Sequence, residues 1–146
     1  LSALEILLQF EYKPVTTLSN PNQISSFPDL KNFDIVLLDM NFSAGVNTGN
    51  EGLFWLRELR KKAPGISVIM MTAYGAIDLA VEALKEGASD FILKPWNNDK
   101  LLATVKSAHE LRKSQKEVHQ LRQKESHLKQ VINQTKNIFR VGNLVV

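Results

Sequence analysis

The chain has 146 residues, of which 44% are hydrophobic and 23% charged, enough for one domain with a real core and an appendage. Cysteine is absent, which excludes a disulfide framework and thiolate metal sites and fits a reducing, cytoplasmic setting. No apolar run approaches the ~20 residues that span a bilayer, so no membrane partner is expected, and the opening LSALEILL lacks the basic flank of a secretory signal. The net charge of +3 is unevenly spread: residues 1–111 carry 10 Lys/Arg against 13 Asp/Glu, and residues 112–146 carry 8 against 2. The basic end has an apolar stripe and no aromatic interleaving, so it reads as a solvated helix face rather than a nucleic-acid site.

In chain order, residues 2–11 predict a helix, with Leu4, Leu7 and Leu8 at helical spacing. KPVTTLS (13–19) predicts a short β-branched strand, and residues 22–31 a second helix. DIVLLDM (34–40) is a continuous apolar run, as expected of a buried parallel strand. Residues 41–50 form a Gly/Asn/Ser loop without periodicity, and residues 51–62 a helix stopped by Ala63-Pro64-Gly65. SVIMMTA (67–73) is the next strand. Residues 76–85 form a helix with Ile77, Ala80, Val81 and Leu84 as its apolar face, ended by Gly87. Residues 90–93 form the last strand, and Asn97 or Asn98 caps a helix of unusual length. Alternating strands and helices imply right-handed βαβ units and a parallel sheet.

Three of the strands end on reactive polar residues: Asp39, Thr72 and Lys94. Ligands of open α/β sheets bind beyond the carboxyl ends of the strands, so neighbouring strands would gather a carboxylate, a hydroxyl and an ammonium in one crevice. A carboxylate nucleophile has no proton to remove, so phosphoryl transfer to it reduces to positioning and charge neutralisation. Phosphorylation adds roughly −1.5 to −2 charges, enough to recruit a nearby hydroxyl and move its loop.

Asp39 after its apolar run, MTAYG around Thr72 and FILKP around Lys94 resemble the receiver domain of two-component response regulators. EGLFWLRELR and MMTAYGAIDLAVEALKEGASDFILKPW are similar to the NtrC-type, sigma-54-dependent subfamily, in which a receiver precedes an ATPase and a DNA-binding domain. The resemblance covers residues 1 to about 111 and implies a flavodoxin-like (CheY-like) doubly wound α/β fold of strand order 2-1-3-4-5. It implies Asp39 as phosphate acceptor and Mg²⁺ ligand, and Asn41 as donor of a backbone carbonyl to Mg²⁺. Thr72 and Ala73 would contact the phosphoryl group, and Lys94 would contact both it and Asp39. Phe91 would be the aromatic switch, and Lys94–Pro95 a cis bond. The implied partners are a sensor histidine kinase, a second copy of the chain through the C-terminal helix and the 76–111 face, and DNA only through an output domain outside these residues. The implied role is a signalling one and not that of an enzyme.

The pattern departs from the family in two places. The family's first strand, with the acidic pair that binds Mg²⁺, has no counterpart before Leu1, so the chain is expected to be read from an internal start. The strand is then either outside these residues or supplied otherwise, with the β-prone NLVV (143–146) as one substitute. The loop after Asp39 is longer than the family's and lacks its proline, which tunes access to the site or is a tolerated surface insertion.

The expected domain plan is a receiver over 1–111, a coiled-coil linker helix over 112–140 and a tail over 141–146. In the linker, a heptad frame places Leu111, Ser114, Val118, Leu121, Glu125, Leu128, Ile132, Thr135 and Phe139 at core positions, six of nine apolar. In a parallel dimer Glu117 would face Arg122 favourably, while Lys124 would face Lys129. His109, His119 and His127 share no metal-ligand spacing and are expected to face solvent. Two other functions compete. A haloacid-dehalogenase-type phosphatase shares the Asp, Thr and Lys but needs a second Asp where this chain has Asn41. A pseudo-receiver is an interaction module that takes no phosphate.

Overall fold

The computed structural model describes residues 3–40, 50–73 and 76–145, with side chains as far as Thr135. It divides into two compact units, Leu1–Arg112 and Lys113–Val146. In chain order the elements are α1 (Ala3–Gln9), α2 (Gln23–Ser26), a 3₁₀ turn (Leu30–Asn32), β1 (Ile35–Asp39), α3 (Asn50–Lys62), β2 (Ser67–Ala73), α4 (Ile77–Lys85), β3 (Asp90–Lys94) and α5 (Asn98–Val145).

The apolar runs form a parallel sheet of order β1-β2-β3. Asp39 lies opposite Met71, and Ala73 opposite Lys94. Every residue of the central strand from Ser67 to Thr72 is buried, which explains why β2 reads as unbroken apolar sequence rather than alternation. The pleat sends Val68 and Met70 into one core cluster with Leu53, Leu56 and Leu59 of α3 and with Ala63, just past its end. It sends Ile69 into the other, with Leu8 of α1 and Leu101, Val105 and Ala108 of α5. Helices thus cover both faces, as a doubly wound fold requires.

Four sequence expectations need correction. Residues 13–19 form no strand among the described residues. Their β-branched composition has no ladder partner, and β propensity without pairing does not make a strand. Between them and β1 runs a groove of about 470 Å³, lined by residues such as Val15, Thr17, Ile35 and Leu37. The helix expected over 22–31 breaks into α2 and the 3₁₀ turn, because Pro28 removes a donor and holds Phe27 extended (ψ 115°). The backbone of residues 143–145 continues α5 rather than forming a strand, and α5 also runs beyond residue 140. His109 is half-buried, its ring edge-on to Tyr12 at 5.7 Å between centroids.

On α4, Ala80 and Ala83 are fully buried whereas Ile77, Val81 and Leu84 are exposed by 54%, 42% and 38%. The alanines let the helix approach the sheet closely, and its larger apolar residues form an outward face. The helix ends in a Schellman arrangement, with Gly87 N–H donating to Leu84 O (3.2 Å) and Ala88 N–H to Ala83 O (3.0 Å). Gly87 has φ +106°, and a Cβ there would lie 3.1 Å from Arg60 Nε. Gly87→Ala is therefore expected to destabilise the fold by about 1–2 kcal/mol, measured as a lower urea midpoint. An unchanged midpoint would contradict this account of the turn. At the same corner, Arg57 grips Glu86 through two hydrogen bonds of 2.7 and 2.5 Å, which hold the Glu86 carboxyl below its ordinary range.

Helix α5 starts where the Asn97 side chain accepts from the backbone N–H groups of Asp99 (2.8 Å) and Lys100 (3.3 Å), so Asn97 is the cap. The guanidinium of Arg112 lies against Gly65, where a Cβ would come within 2.6 Å of it, and its Nε is 4.0 Å from Asp34. No helix among the described residues is long and apolar enough to cross a membrane.

Candidate functional site

Asp39 and Lys94 end the two outer strands of the described sheet. Their strands lie two spacings apart, about 9–10 Å, and Lys94 stands two residues beyond Ile92, the residue level with Asp39 through Met71. The Lys94 side chain closes that gap, and Nζ donates to Asp39 Oδ2 at 2.6 Å. Both side chains stay partly open, at 40% for Asp39 and 30% for Lys94, so the carboxylate is held but remains reachable. Between them ends β2, with Thr72 and Ala73. Ala73 is the register partner of Lys94, so a small residue occupies the strand end that the lysine must cross.

Thr72 is 1% exposed, and its Oγ1 is buried without a hydrogen-bond partner. An unpaired buried hydroxyl costs about 1–3 kcal/mol, so a strand-end threonine in this state is poised to donate to an arriving oxygen. This feature was invisible in the sequence, where Thr72 is equally an ordinary β-former. The sheet thus places an ion-paired carboxylate, an ammonium and an unsatisfied hydroxyl at one end.

Phe91 sits near the start of β3 opposite Met70, half-buried against the α3-side core. The Lys94–Pro95 bond is cis. Trp96 packs with the core cluster on the α1/α5 face. Asn41 and residues 42–49 lie outside the described residues, so the Mg²⁺ carbonyl and the long loop have no structural account here.

Among the described residues, no group of three or more His, Cys, Asp or Glu side chains could hold a metal ion. Asp39 offers one carboxylate and is engaged with Lys94. Mg²⁺ usually takes one or two carboxylates together with phosphate oxygens and water in octahedral geometry. The described residues alone do not complete such a site.

A parallel sheet with Asp, Thr and Lys at its carboxyl end is common to phospho-accepting signalling domains and to phosphatases, and the family model for the response regulator receiver domain, which matches residues 1–106, decides for the first. The chain belongs to that family. The curated relatives it matches are response regulators of the NtrC type. They include the transcriptional regulatory protein ZraR of Klebsiella oxytoca, 42% identical over 78 residues, which are 53% of this chain and 16% of that protein. The regulatory protein LuxO of Vibrio cholerae is 42% identical over 89 residues, 61% of this chain and 17% of that protein. The chain therefore spans about a sixth of the length of these relatives. Among solved structures, the N-terminal signal receiver domain of a Bacteroides fragilis response regulator is 48% identical, with TM-score 0.64 over 73% of this chain and 84% of that one. The receiver domain of NtrX from Brucella abortus is 28% identical, with TM-score 0.64 over 73% of this chain and 87% of that one.

Proposed function

We propose that Asp39 is the phosphoryl acceptor of this receiver and that a sensor histidine kinase supplies the group. The observation that carries this reading is the 2.6 Å contact between Lys94 and Asp39 at the carboxyl end of the sheet, and the partnerless hydroxyl of Thr72, near the end of the strand that runs between theirs, supports it. In the transfer, the kinase phosphohistidine reacts with its second ring nitrogen already protonated: an Asp39 carboxylate oxygen attacks phosphorus, the phosphorus–nitrogen bond breaks with its electron pair going to the ring, and an acyl phosphate and a neutral imidazole result. Lys94 holds the carboxylate in place and meets the charge that develops on the phosphoryl oxygens.

Receivers of this family use Mg²⁺ in phosphoryl transfer. Asp39 is the ligand this chain would offer the ion among the described residues, and the ion would supply positive charge to the phosphoryl oxygens. Once formed, the phosphoryl group supplies an acceptor for Thr72 Oγ1, and Ala73 leaves room for it at the strand end. Movement of Thr72 toward the phosphate draws Phe91 inward and reshapes the outward face of α4. The exposed row Ile77, Val81 and Leu84 supports the 76–111 face as a contact between copies. The C-terminal helix is the second dimer contact and the connection to a transcription-regulating output domain, through which alone DNA is bound. The chain's role is that of a phosphorylated switch rather than a turnover catalyst.

The test is to incubate the protein with Mg²⁺ and acetyl phosphate and to read the intact mass. The expected result is one added phosphoryl group, stable in acid, released by base and mapped to Asp39. No added mass would defeat the proposal and favour an interaction module without phosphate. Sustained hydrolysis of phosphate esters would instead favour a phosphatase.

A further inference from the structure

Residues 113–135 of α5 form a helix with a bare apolar stripe. Val118, Leu121, Leu128 and Ile132 are exposed by 45%, 64%, 59% and 45%. Their spacing of three, seven and four residues keeps them on one seam of a coiled coil. The a positions hold Val118, Glu125 and Ile132, and the d positions hold Leu121 and Leu128. β-Branched residues at a with leucine at d favour two parallel strands, and a single polar residue at an a position fixes register at a cost in stability. Glu125 is such a residue.

Three residues look like faults when taken one at a time. Glu125 puts a carboxylate in the seam. Lys124 at g and Lys129 at e would face each other across a parallel pair. Taken together they compensate. In a parallel, in-register pair the Lys124–Lys129 contacts lie along both edges of the seam at the level of Glu125. Two carboxylates are then surrounded by four ammonium groups. Within one chain Lys129 Nζ already lies 3.1 Å from Glu125 Oε1. Seven residues earlier, Glu117 meets Arg122 of the second copy, which adds an attractive pair in the same alignment. A slip of one heptad breaks the arrangement, because it sets Glu125 against Val118 or Ile132, away from the second pair of lysines.

We propose that α5 pairs with a second copy of this chain in parallel and in register, and that the layer of Glu125, Lys124 and Lys129 sets that register. The proposal rests on the reading of α5 as a dimer contact and adds its orientation, alignment and determinant. It is independent of Asp39, so phosphoryl uptake reports separately on the acceptor.

The chain has no cysteine, so Ser114→Cys, at an exposed d position, gives a single reporter. In the proposed pair the two thiols are opposite each other and within disulfide reach. In an antiparallel pair matching apolar layers to apolar layers, residue 114 lies opposite residue 125. The two thiols are then about 16 Å apart along the axis, at about 1.5 Å per residue. The expected results with the whole chain are a disulfide-linked dimer on mild oxidation and concentration-dependent dimerisation in sedimentation. Glu125→Lys should weaken the dimer at least about tenfold, because it gathers six ammonium groups at one level. Glu125→Ile should strengthen it at least about tenfold by making the seam continuous. A Ser114→Cys dimer that does not cross-link on oxidation would overturn the orientation and register. A Glu125→Lys dimer as tight as the parent would overturn the charged layer. A monomer at all concentrations would overturn both, along with the dimer reading of α5.

Discussion

Replacing Asp39 by Asn is expected to abolish phosphoryl uptake from acetyl phosphate. The substitution keeps the size and shape of the side chain but exchanges a carboxylate nucleophile for an amide that cannot form the acyl phosphate. It also turns the 2.6 Å ion pair with Lys94 into a weaker hydrogen bond. Both side chains are partly exposed, so the stability change should stay within about 1 kcal/mol, and the loss of uptake will reflect chemistry rather than unfolding. Lys94→Ala is the companion. It leaves the nucleophile in place and removes the charge beside it, so uptake should slow by about 10²–10³-fold, the loss typical when one stabilising donor is deleted. Lys94→Arg should not rescue it, because a planar fork does not reproduce a compact ammonium. Intact mass over time reads all three variants. Labelling of Asp39→Asn at the parental level would move the acceptor elsewhere and end the reading of this site.

Where sequence and structure agree, the local pattern was sufficient. β1, β2 and β3 are fully or partly buried and read as continuous apolar runs. Their terminal residues 39, 72, 73 and 94 could be placed because a parallel sheet brings strand ends to one side. The break at Phe27-Pro28 was also legible, since proline disfavours helix in the residue before it. Residues 13–19 are a different matter. Their composition is β-prone, yet whether a segment becomes a strand depends on what it pairs with, and pairing is not a local property.

Long-range contacts had no sequence signal at all. Arg57 finds Glu86 across 29 positions. Arg112 lies on Gly65 because that position carries no side chain. The ring of His109 meets Tyr12, although nothing in its local spacing turns it from solvent. At the site, the identity of Thr72 was legible but its unsatisfied hydroxyl was not, because burial and the lack of a partner are properties of the packed sheet. On α4, the expected apolar face of Ile77, Ala80, Val81 and Leu84 is split: Ala80 packs inward with Ala83, and the three larger residues face out.

Leu56→Ala is expected to be the most destabilising single truncation of those considered. Leu56 is fully buried in the cluster between α3 and the sheet, with Val68 and Met70 of the central strand. Removing it loses the transfer free energy of the deleted carbons and leaves a cavity that the rigid β-strands beneath cannot fill, a loss of about 2–5 kcal/mol. Against a typical stability of about 5–15 kcal/mol, that should lower the urea midpoint sharply while leaving its slope unchanged. Leu121→Ala deletes the same atoms from a side chain that is 64% exposed. In dilute protein it should leave the midpoint nearly where it was, since alanine favours helix and little area is uncovered. At dimer-forming concentrations it should weaken association. The pair separates a leucine that holds the domain together from one that awaits a second chain. A loss below about 1 kcal/mol for Leu56→Ala would mean that α3 does not pack on the sheet through this residue, because full burial of a leucine cannot be lost so cheaply.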